Sequence, residues 1–184
     1  MKRAAIILLS IFFLAALIPV FLVFFTLVYL EDKSSPILKQ IRVGKNQVPF
    51  TCYKIRTMKA DTGDVASHHA SQAQITKIGA VLRKTGLDEL PQIYNVLIGT
   101  MSFVGPRPNL PSQEELIAAR DKRKVYDVLP GITGLAQIQG VDMSNPAKLA
   151  KIDGEYVRIK SILLDCRIVW ATIRGKGSGD AVKR

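Results

Sequence analysis

Groups that bind metals or form disulfides are scarce in this sequence. The two cysteines, Cys52 and Cys166, are far apart and follow no metal-ligand or redox spacing. The two histidines, His68 and His69, are neighbours with no carboxylate or thiol partner at ligand spacing. These absences exclude a disulfide scaffold and a zinc centre, and they fit reduced thiols in a cytosolic domain.

Nucleotide-binding loops of the common kinds are also missing. The segment PGITGLAQ at 130–137 is glycine-hinged, but it lacks the Lys-Ser/Thr ending of a P-loop and is not a dinucleotide fingerprint. Its backbone N–H groups and Gln137 could still approach a ligand.

Acidic residues are outnumbered. The 184-residue chain has 26 Lys and Arg against 15 Asp and Glu, a formal net charge of +11. Such a balance implies an anionic partner, which composition alone leaves open among nucleic acid, acidic lipid headgroups and a phosphorylated substrate. The length accommodates one domain plus an attachment.

Charge is absent from Ala4 to Leu30. No small-x-small cleavage site closes this run, which excludes a signal peptide. As a straight helix at ~1.5 Å per residue, the run would be about 40 Å long, whereas the hydrocarbon core of a bilayer is roughly 30 Å thick. Basic residues flank both ends, so a single span would export a strongly basic segment against the positive-inside bias.

Pro19 predicts a different arrangement of this run. Proline removes an N–H and biases Ile18 away from α geometry, which divides the run into arms of roughly 15 and 11 residues. Neither arm reaches across a bilayer. The sequence therefore predicts a re-entrant helical hairpin over residues 1–32, with a kinked single span as the alternative.

The remainder predicts a mainly helical α+β domain over residues 33–174 and a flexible basic tail over 175–184. Alternating apolar and polar residues at 37–43 and 48–55, around a turn at 44–46, predict a short β-hairpin. A polar loop at 59–74 precedes a short helix that carries Arg83. Capping-box spacing from Ser112 predicts a helix to Asp127, whose basic cluster at 120–124 faces water or acidic headgroups.

Asp88 and Glu89 are adjacent carboxylates with no cation between them. Leu90 and Ile93 begin an apolar helix face, and Pro91 is tolerated in a first turn, so the sequence predicts a helix that begins near Asp88. The helix macrodipole favours an ionised carboxylate there, and an ionised Asp can act as a nucleophile. A solvated helix cap is the alternative interpretation.

Three basic residues have spacings suited to phosphate. Lys54 and Arg56 fall on the same side of an extended strand, as two phosphate ligands would, and a solvated strand face is the alternative interpretation. Pro106 and Pro108 fix the backbone on both sides of Arg107, and a rigidly presented Arg suits bidentate phosphate binding.

Taken in order, these segments resemble one family, the monotopic phosphoglycosyl transferases, bacterial sugar transferases that start surface-glycan assembly on a polyprenol phosphate. The resemblance covers nearly the whole chain and is closest to the minimal family form. Two departures are Ile18-Pro19, where the family typically has Ser-Pro, and Leu129, where close relatives often carry Arg. The resemblance is carried by Pro19 and five motifs: QIRVG at 40–44, YKIRTM at 53–58, LDELPQ at 87–92, MSFVGPRP at 101–108 and PGITGLAQ at 130–137.

The resemblance implies a catalytic domain of mixed α and β elements, on the cytoplasmic face of the bacterial inner membrane. Asp88 matches the family's nucleophile, and Glu89 matches the adjacent carboxylate associated with Mg²⁺, so the metal is expected at this pair. The basic residues near the phosphates are matched by Arg83 and Arg107, and motifs lining the same site contain Lys54, Arg56 and Gln137.

The expected reaction transfers a sugar 1-phosphate from a UDP-sugar to undecaprenyl phosphate, through an aspartyl-phosphosugar, and releases UMP. The expected partners are these two substrates and the anionic inner leaflet, without nucleic acid, and a homodimer is compatible with the sequence. Glycosidase chemistry is excluded because adjacent side chains cannot flank a scissile bond at the required separation of roughly 5 to 9 Å. The alternative function is a non-catalytic, membrane-tethered basic module that binds anionic lipid or nucleic acid.

Overall fold

The computed structural model describes residues 2–60 and 74–175. Most of the predicted loop, with His68 and His69, and the predicted tail from residue 176 onward lie outside the described residues. The described chain falls into two compact units. The first contains the residues up to Gln40 and Cys52–Gly99, and the second contains Ile41–Thr51 and the residues from Thr100 onward.

Two apolar helices open the first unit. Helix α1 (Lys2–Ala16) and helix α2 (Ile18–Asp32) meet at Leu17, with Pro19 in the first turn of α2. The two helices are bent by 54° relative to each other. Within the described residues, no single helix is long and apolar enough to cross a membrane, whereas this bent pair together meets that length and composition.

Helix α2 packs against helix α3 (Lys77–Thr85), which Thr76 caps by accepting a hydrogen bond from the Gly79 N–H. Aromatic side chains fill much of the contact, because α2 places three phenylalanines and Val28 at i, i+3, i+4 and i+7 spacing on one face. The cluster consists of buried Val28, Ile55 and Leu82, with partly buried Phe21, Phe24, Phe25, Ile78 and Leu87 around them.

The predicted β-hairpin is present. Strands β1 (Ile37–Val43) and β2 (Pro49–Ile55) form a two-stranded sheet, and a 3₁₀ turn at Lys45–Gln47 connects them. Together with the helices, this gives the mainly helical α+β fold that the sequence predicts.

The helix predicted to begin near Asp88 begins later in the chain. Leu87–Glu89 form a 3₁₀ turn, and helix α4 (Gln92–Leu97) follows. Gly86 ends α3 in the left-handed conformation, with φ of 71°, which glycine adopts without steric cost. The acidic pair therefore occupies a tight turn between two helices.

The second unit is built around two short parallel strands, β3 (Ser102–Val104) and β4 (Gly131–Thr133). Their register pairs Ser102 with Gly131 and Val104 with Thr133. Its core includes Val104, Leu116, Leu149, Tyr156 and Ile168. The helices of this unit are α5 (Glu114–Asp121), α6 (Leu135–Ile138), α7 (Pro146–Ile159) and α8 (Ile162–Ile173).

The capping box predicted at Ser112 is wrong, and so is the predicted helix end at Asp127. The N-cap residue of α5 is Gln113, and it makes no side-chain capping hydrogen bond because its Oε1 accepts from the Leu110 N–H at 2.9 Å. Lys124 adopts a left-handed conformation, with φ of 57°, and separates α5 from a 3₁₀ turn at Val125–Asp127.

We expect Gly79→Ala to destabilise the protein, although alanine favours a helix by about 1 kcal/mol over glycine. A Cβ at residue 79 would lie 2.7 Å from the carbonyl carbon of Thr57 and would overlap its oxygen. Overpacking against rigid backbone should lower the free energy of unfolding by about 2 kcal/mol. Urea unfolding followed by circular dichroism measures this, with Lys84→Ala on the exposed face of α3 as control; a stabilised Gly79→Ala would contradict the packing.

Candidate functional site

The acidic pair is buried. Asp88 is 3% exposed and Glu89 is 7% exposed, and both lie in the 3₁₀ turn that follows Gly86. Leu87 anchors the start of this turn in the apolar cluster of α2 and α3. The alternative of a solvated helix cap is therefore wrong.

Lys54 brings a cation to the acidic pair. Its Nζ lies 3.4 Å from Glu89 Oε1, and both side chains are almost fully shielded from water. Lys54 belongs to β2, and the strand's register turns it inward with Cys52, two residues earlier. A buried carboxylate is tolerated when it is paired in this way, so the ion pair helps to keep an acidic turn inside the protein.

Arg83 lies in the last turn of α3 and offers an unused donor. Its Nε donates to Thr57 Oγ1 at 2.8 Å, which orients the guanidinium. Its Nη1 is buried and has no hydrogen-bond partner in the described part of the chain. Buried donors are almost always satisfied, so this atom is available to an acceptor that the described residues do not supply, such as a phosphate oxygen.

Arg56 lies just beyond the end of β2 and serves a different contact. The side-chain Nε of Arg56 donates to the Ser35 carbonyl at 2.8 Å, and the backbone N–H of Arg56 donates to the Pro36 carbonyl. The structure thus places Arg56 against the linker after α2, whereas Lys54 pairs with Glu89.

Arg107 and Gln137 belong to the second unit. Arg107 is half-buried and lines a small pocket with Gly44, Tyr126 and Pro130. Gln137 Nε2 donates to the Ile132 carbonyl at 3.2 Å, and its Oε1 is buried without a hydrogen-bond partner among the described residues. The second unit therefore presents a guanidinium and an amide oxygen that each suit a polar ligand.

The second unit contains a charged pair that the sequence does not predict. The prediction that Arg120 faces water or headgroups is wrong, because Arg120 is 1% exposed and its Nη2 lies 2.6 Å from Asp153 Oδ2. One signal was available: Arg120 follows Leu116, a core residue, by four positions on the same helix face. The sequence around Asp153 offers no comparable indication that this residue pairs with Arg120.

The described residues contain no group of three or more His, Cys, Asp or Glu side chains that could hold a metal. Asp88 and Glu89 provide only two potential metal-binding side chains. Two carboxylates nevertheless fit Mg²⁺, which is commonly held by one or two carboxylates and by substrate phosphates.

The sequence matches the family model described as bacterial sugar transferase over residues 1–177. Two relatives of similar length are the exopolysaccharide production protein PSS of Rhizobium leguminosarum bv. phaseoli and the uncharacterized sugar transferase EpsL of Bacillus subtilis (strain 168). The first is 41% identical over 96% of this chain and 98% of its own length. The second is 38% identical over 90% of this chain and 81% of its own length.

A longer relative is the UDP-glucose:undecaprenyl-phosphate glucose-1-phosphate transferase of Escherichia coli (strain K12). It is 38% identical over 94% of this chain, which corresponds to 39% of the length of that protein. The match over nearly the whole chain, and the identity to relatives of the same length, show that this protein belongs to the bacterial sugar transferase family.

Proposed function

We propose that the protein transfers a sugar 1-phosphate from a UDP-sugar to undecaprenyl phosphate and releases UMP. Several relatives are named UDP-glucose:undecaprenyl-phosphate glucose-1-phosphate transferase. The observation that carries the proposal is the burial of Asp88 and Glu89 in one turn, beside Lys54. A turn of this kind combines a nucleophile with a cation where a diphosphate has to be neutralised.

In the proposed reaction, a carboxylate oxygen of Asp88 attacks the sugar-bearing phosphorus of the donor. A phosphorus–oxygen bond to Asp88 forms, and the bond to UMP breaks. A phosphate oxygen of undecaprenyl phosphate then attacks the same phosphorus, which releases Asp88 and gives undecaprenyl-diphosphate-sugar. Splitting the transfer into two displacements is the usual benefit of covalent catalysis.

The basic residues position the phosphates in this scheme. The unused Nη1 of Arg83 supplies a donor for a phosphate oxygen, and Thr57 holds that guanidinium in place. Arg107 and Gln137 are proposed as phosphate-binding residues of the second unit, and Arg56 as a residue that supports the first unit's site from the linker. Positioning of this kind supplies much of the catalysis in phosphoryl transfer.

Mg²⁺ is the proposed cofactor, held by Glu89 and Asp88. The ion would offset negative charge on the donor diphosphate when it is bound. Lys54 meanwhile pairs with the Glu89 carboxylate in a buried setting, where the ammonium offsets its negative charge.

The proposed location is the cytoplasmic face of the bacterial inner membrane, with residues 1–32 inserted in one leaflet as a re-entrant hairpin. Exposed apolar side chains along both arms support insertion, including Leu8, Phe12, Leu22 and Val23. The bend next to Pro19 is compatible with a hairpin and with the alternative of a kinked single span, and the shortness of each arm favours the hairpin. Insertion brings the lipid-embedded acceptor and a soluble nucleotide sugar to one protein.

The alternative, a binding module without catalysis, explains the basic surface but not the buried acidic turn. Binding to acidic lipid or nucleic acid through lysines and arginines would fall steeply with salt. It would not require Asp88 or Glu89.

We expect Asp88→Asn to abolish UMP release from UDP-sugars, because the amide is not a nucleophile. Purified protein is incubated with a panel of UDP-sugars, UMP is measured, and mass spectrometry looks for a phosphosugar on residue 88. The control is Asp127→Asn, which alters an exposed carboxylate in another 3₁₀ turn and should leave turnover intact. Unchanged turnover in Asp88→Asn, or lipid-linked product without the adduct, would rule out the covalent scheme.

We expect Lys54→Met to lower the free energy of unfolding by about 3 kcal/mol, because Glu89 loses its buried cation. If Mg²⁺ binds at Glu89, millimolar Mg²⁺ should recover more stability in this variant than in the wild type. The double variant Lys54→Met/Glu89→Gln should be stable without Mg²⁺ and insensitive to it. Equal Mg²⁺ responses in all three proteins, measured by urea unfolding, would place the ion elsewhere.

A further inference from the structure

Hydrogen bonds from distant parts of the chain hold the backbone around Arg107. Every carbonyl from residue 106 to residue 110 accepts a hydrogen bond, and we call these oxygens with their donors the carbonyl frame. In chain order the donors are Gly131 N, Arg120 Nη1, Arg42 Nη1, Val43 N and Asn109 Nδ2. Pro106 and Pro108 fix two φ angles within the same segment.

This rigid segment exposes one side chain. From Val104 to Leu110 all residues are buried except Arg107, which is half-buried at the surface of a small pocket. A backbone that cannot move limits where the attached guanidinium can point. The carbonyl frame therefore determines the presentation of Arg107.

Arg120 is the member of the carbonyl frame that contacts the backbone of Arg107 itself. Its Nε and Nη2 donate to Asp153 Oδ2 at 3.0 and 2.6 Å. Its Nη1 donates to the Arg107 carbonyl and to Asn109 Oδ1, each at 2.9 Å. Tyr126 adds a hydrogen bond from its hydroxyl to Asn109 Oδ1 at 3.0 Å.

Arg120 cannot itself contact a substrate in this arrangement, because it is 1% exposed and its fork is committed to protein acceptors. Burial raises the pKa of the Asp153 carboxyl, and the Arg120 guanidinium opposes that rise. A buried ion pair is a poor source of stability compared with apolar packing of the same volume. The hydrogen bond from Arg120 to the Arg107 carbonyl indicates that the pair serves to position the backbone of Arg107.

We propose that Arg120, oriented by Asp153, is a positioning residue that fixes the Arg107 backbone so that the Arg107 guanidinium meets a substrate phosphate. The inference rests on the proposed function for its ligand. The phosphate belongs either to the nucleotide or to the polyprenyl acceptor, and both are tested.

The test is a double-mutant cycle on binding. Because removing one partner of a buried pair can unfold a protein, the frame is broken with Arg120→Met/Asp153→Leu, which replaces both charges by apolar groups. The second arm is Arg107→Ala, and the third combines all three substitutions. Calorimetry measures the Kd of two probes, UDP and a short-chain polyprenyl phosphate, on the detergent-solubilised full chain.

We expect Arg107→Ala to weaken binding of one probe by roughly 10- to 100-fold, and the frame variant to weaken the same probe by roughly tenfold. In the Arg107→Ala background, breaking the frame should change binding by less than about twofold, because its effect acts through Arg107. The probe that responds identifies which phosphate Arg107 meets.

Two results would overturn the inference. One is a frame variant that binds both probes like the wild type, and the other is an equal loss with and without Arg107, which indicates general damage. Leu149→Ala, a core truncation in α7 that leaves Arg120 and Asp153 in place, controls for lost stability and should not couple to Arg107. Coupled UDP binding without any UMP release would contradict only the proposed reaction.

Discussion

Charge that is buried in a protein has to be paired, and this constraint organises the functional residues of both units. In the first unit, Lys54 enters the interior with Glu89 as its partner, which allows an acidic turn to stay inside. In the second, Arg120 enters with Asp153 and uses its remaining donors on the backbone of Arg107. The same physical requirement thus holds the proposed reactive carboxylate pair in one unit and the backbone of half-buried Arg107 in the other.

Backbone restrictions act together with these pairs. Gly86 lets the chain turn directly from α3 into the acidic 3₁₀ turn, because its φ of 71° would strain other residues. In the second unit, a Cβ on Gly105 would lie 2.5 Å from the Leu129 carbonyl oxygen, so strands β3 and β4 approach closely only with glycine there. Prolines 106 and 108 remove freedom on either side of Arg107. Local rigidity is therefore concentrated where phosphate is proposed to bind.

The bent apolar helices matter for access to the proposed substrates. A transferase that joins a water-soluble donor to a polyprenyl acceptor has to reach both phases, and a leaflet-inserted hairpin packed on the helix that carries Arg83 would do so. The acidic residues at the end of α2 reinforce this connection, since the Glu31 carboxylate accepts from the Lys77 and Ile78 N–H groups at the start of α3. If the helices insert as proposed, the membrane anchor and the proposed active site would form one mechanical element of the first unit.

The sequence by itself determined the features that depend on neighbouring residues. The bend next to Pro19, the β-hairpin and the family followed from local periodicity, proline chemistry and motif order. Tertiary structure alone decided which charges are buried. Arg120 belongs to a basic run that is solvated by default, and its partner Asp153 is 33 positions away, just as Lys54 and Glu89 are 35 positions apart. A pairing over such distances is set by the packing of whole elements, because desolvation is a property of the folded surroundings and not of the local sequence.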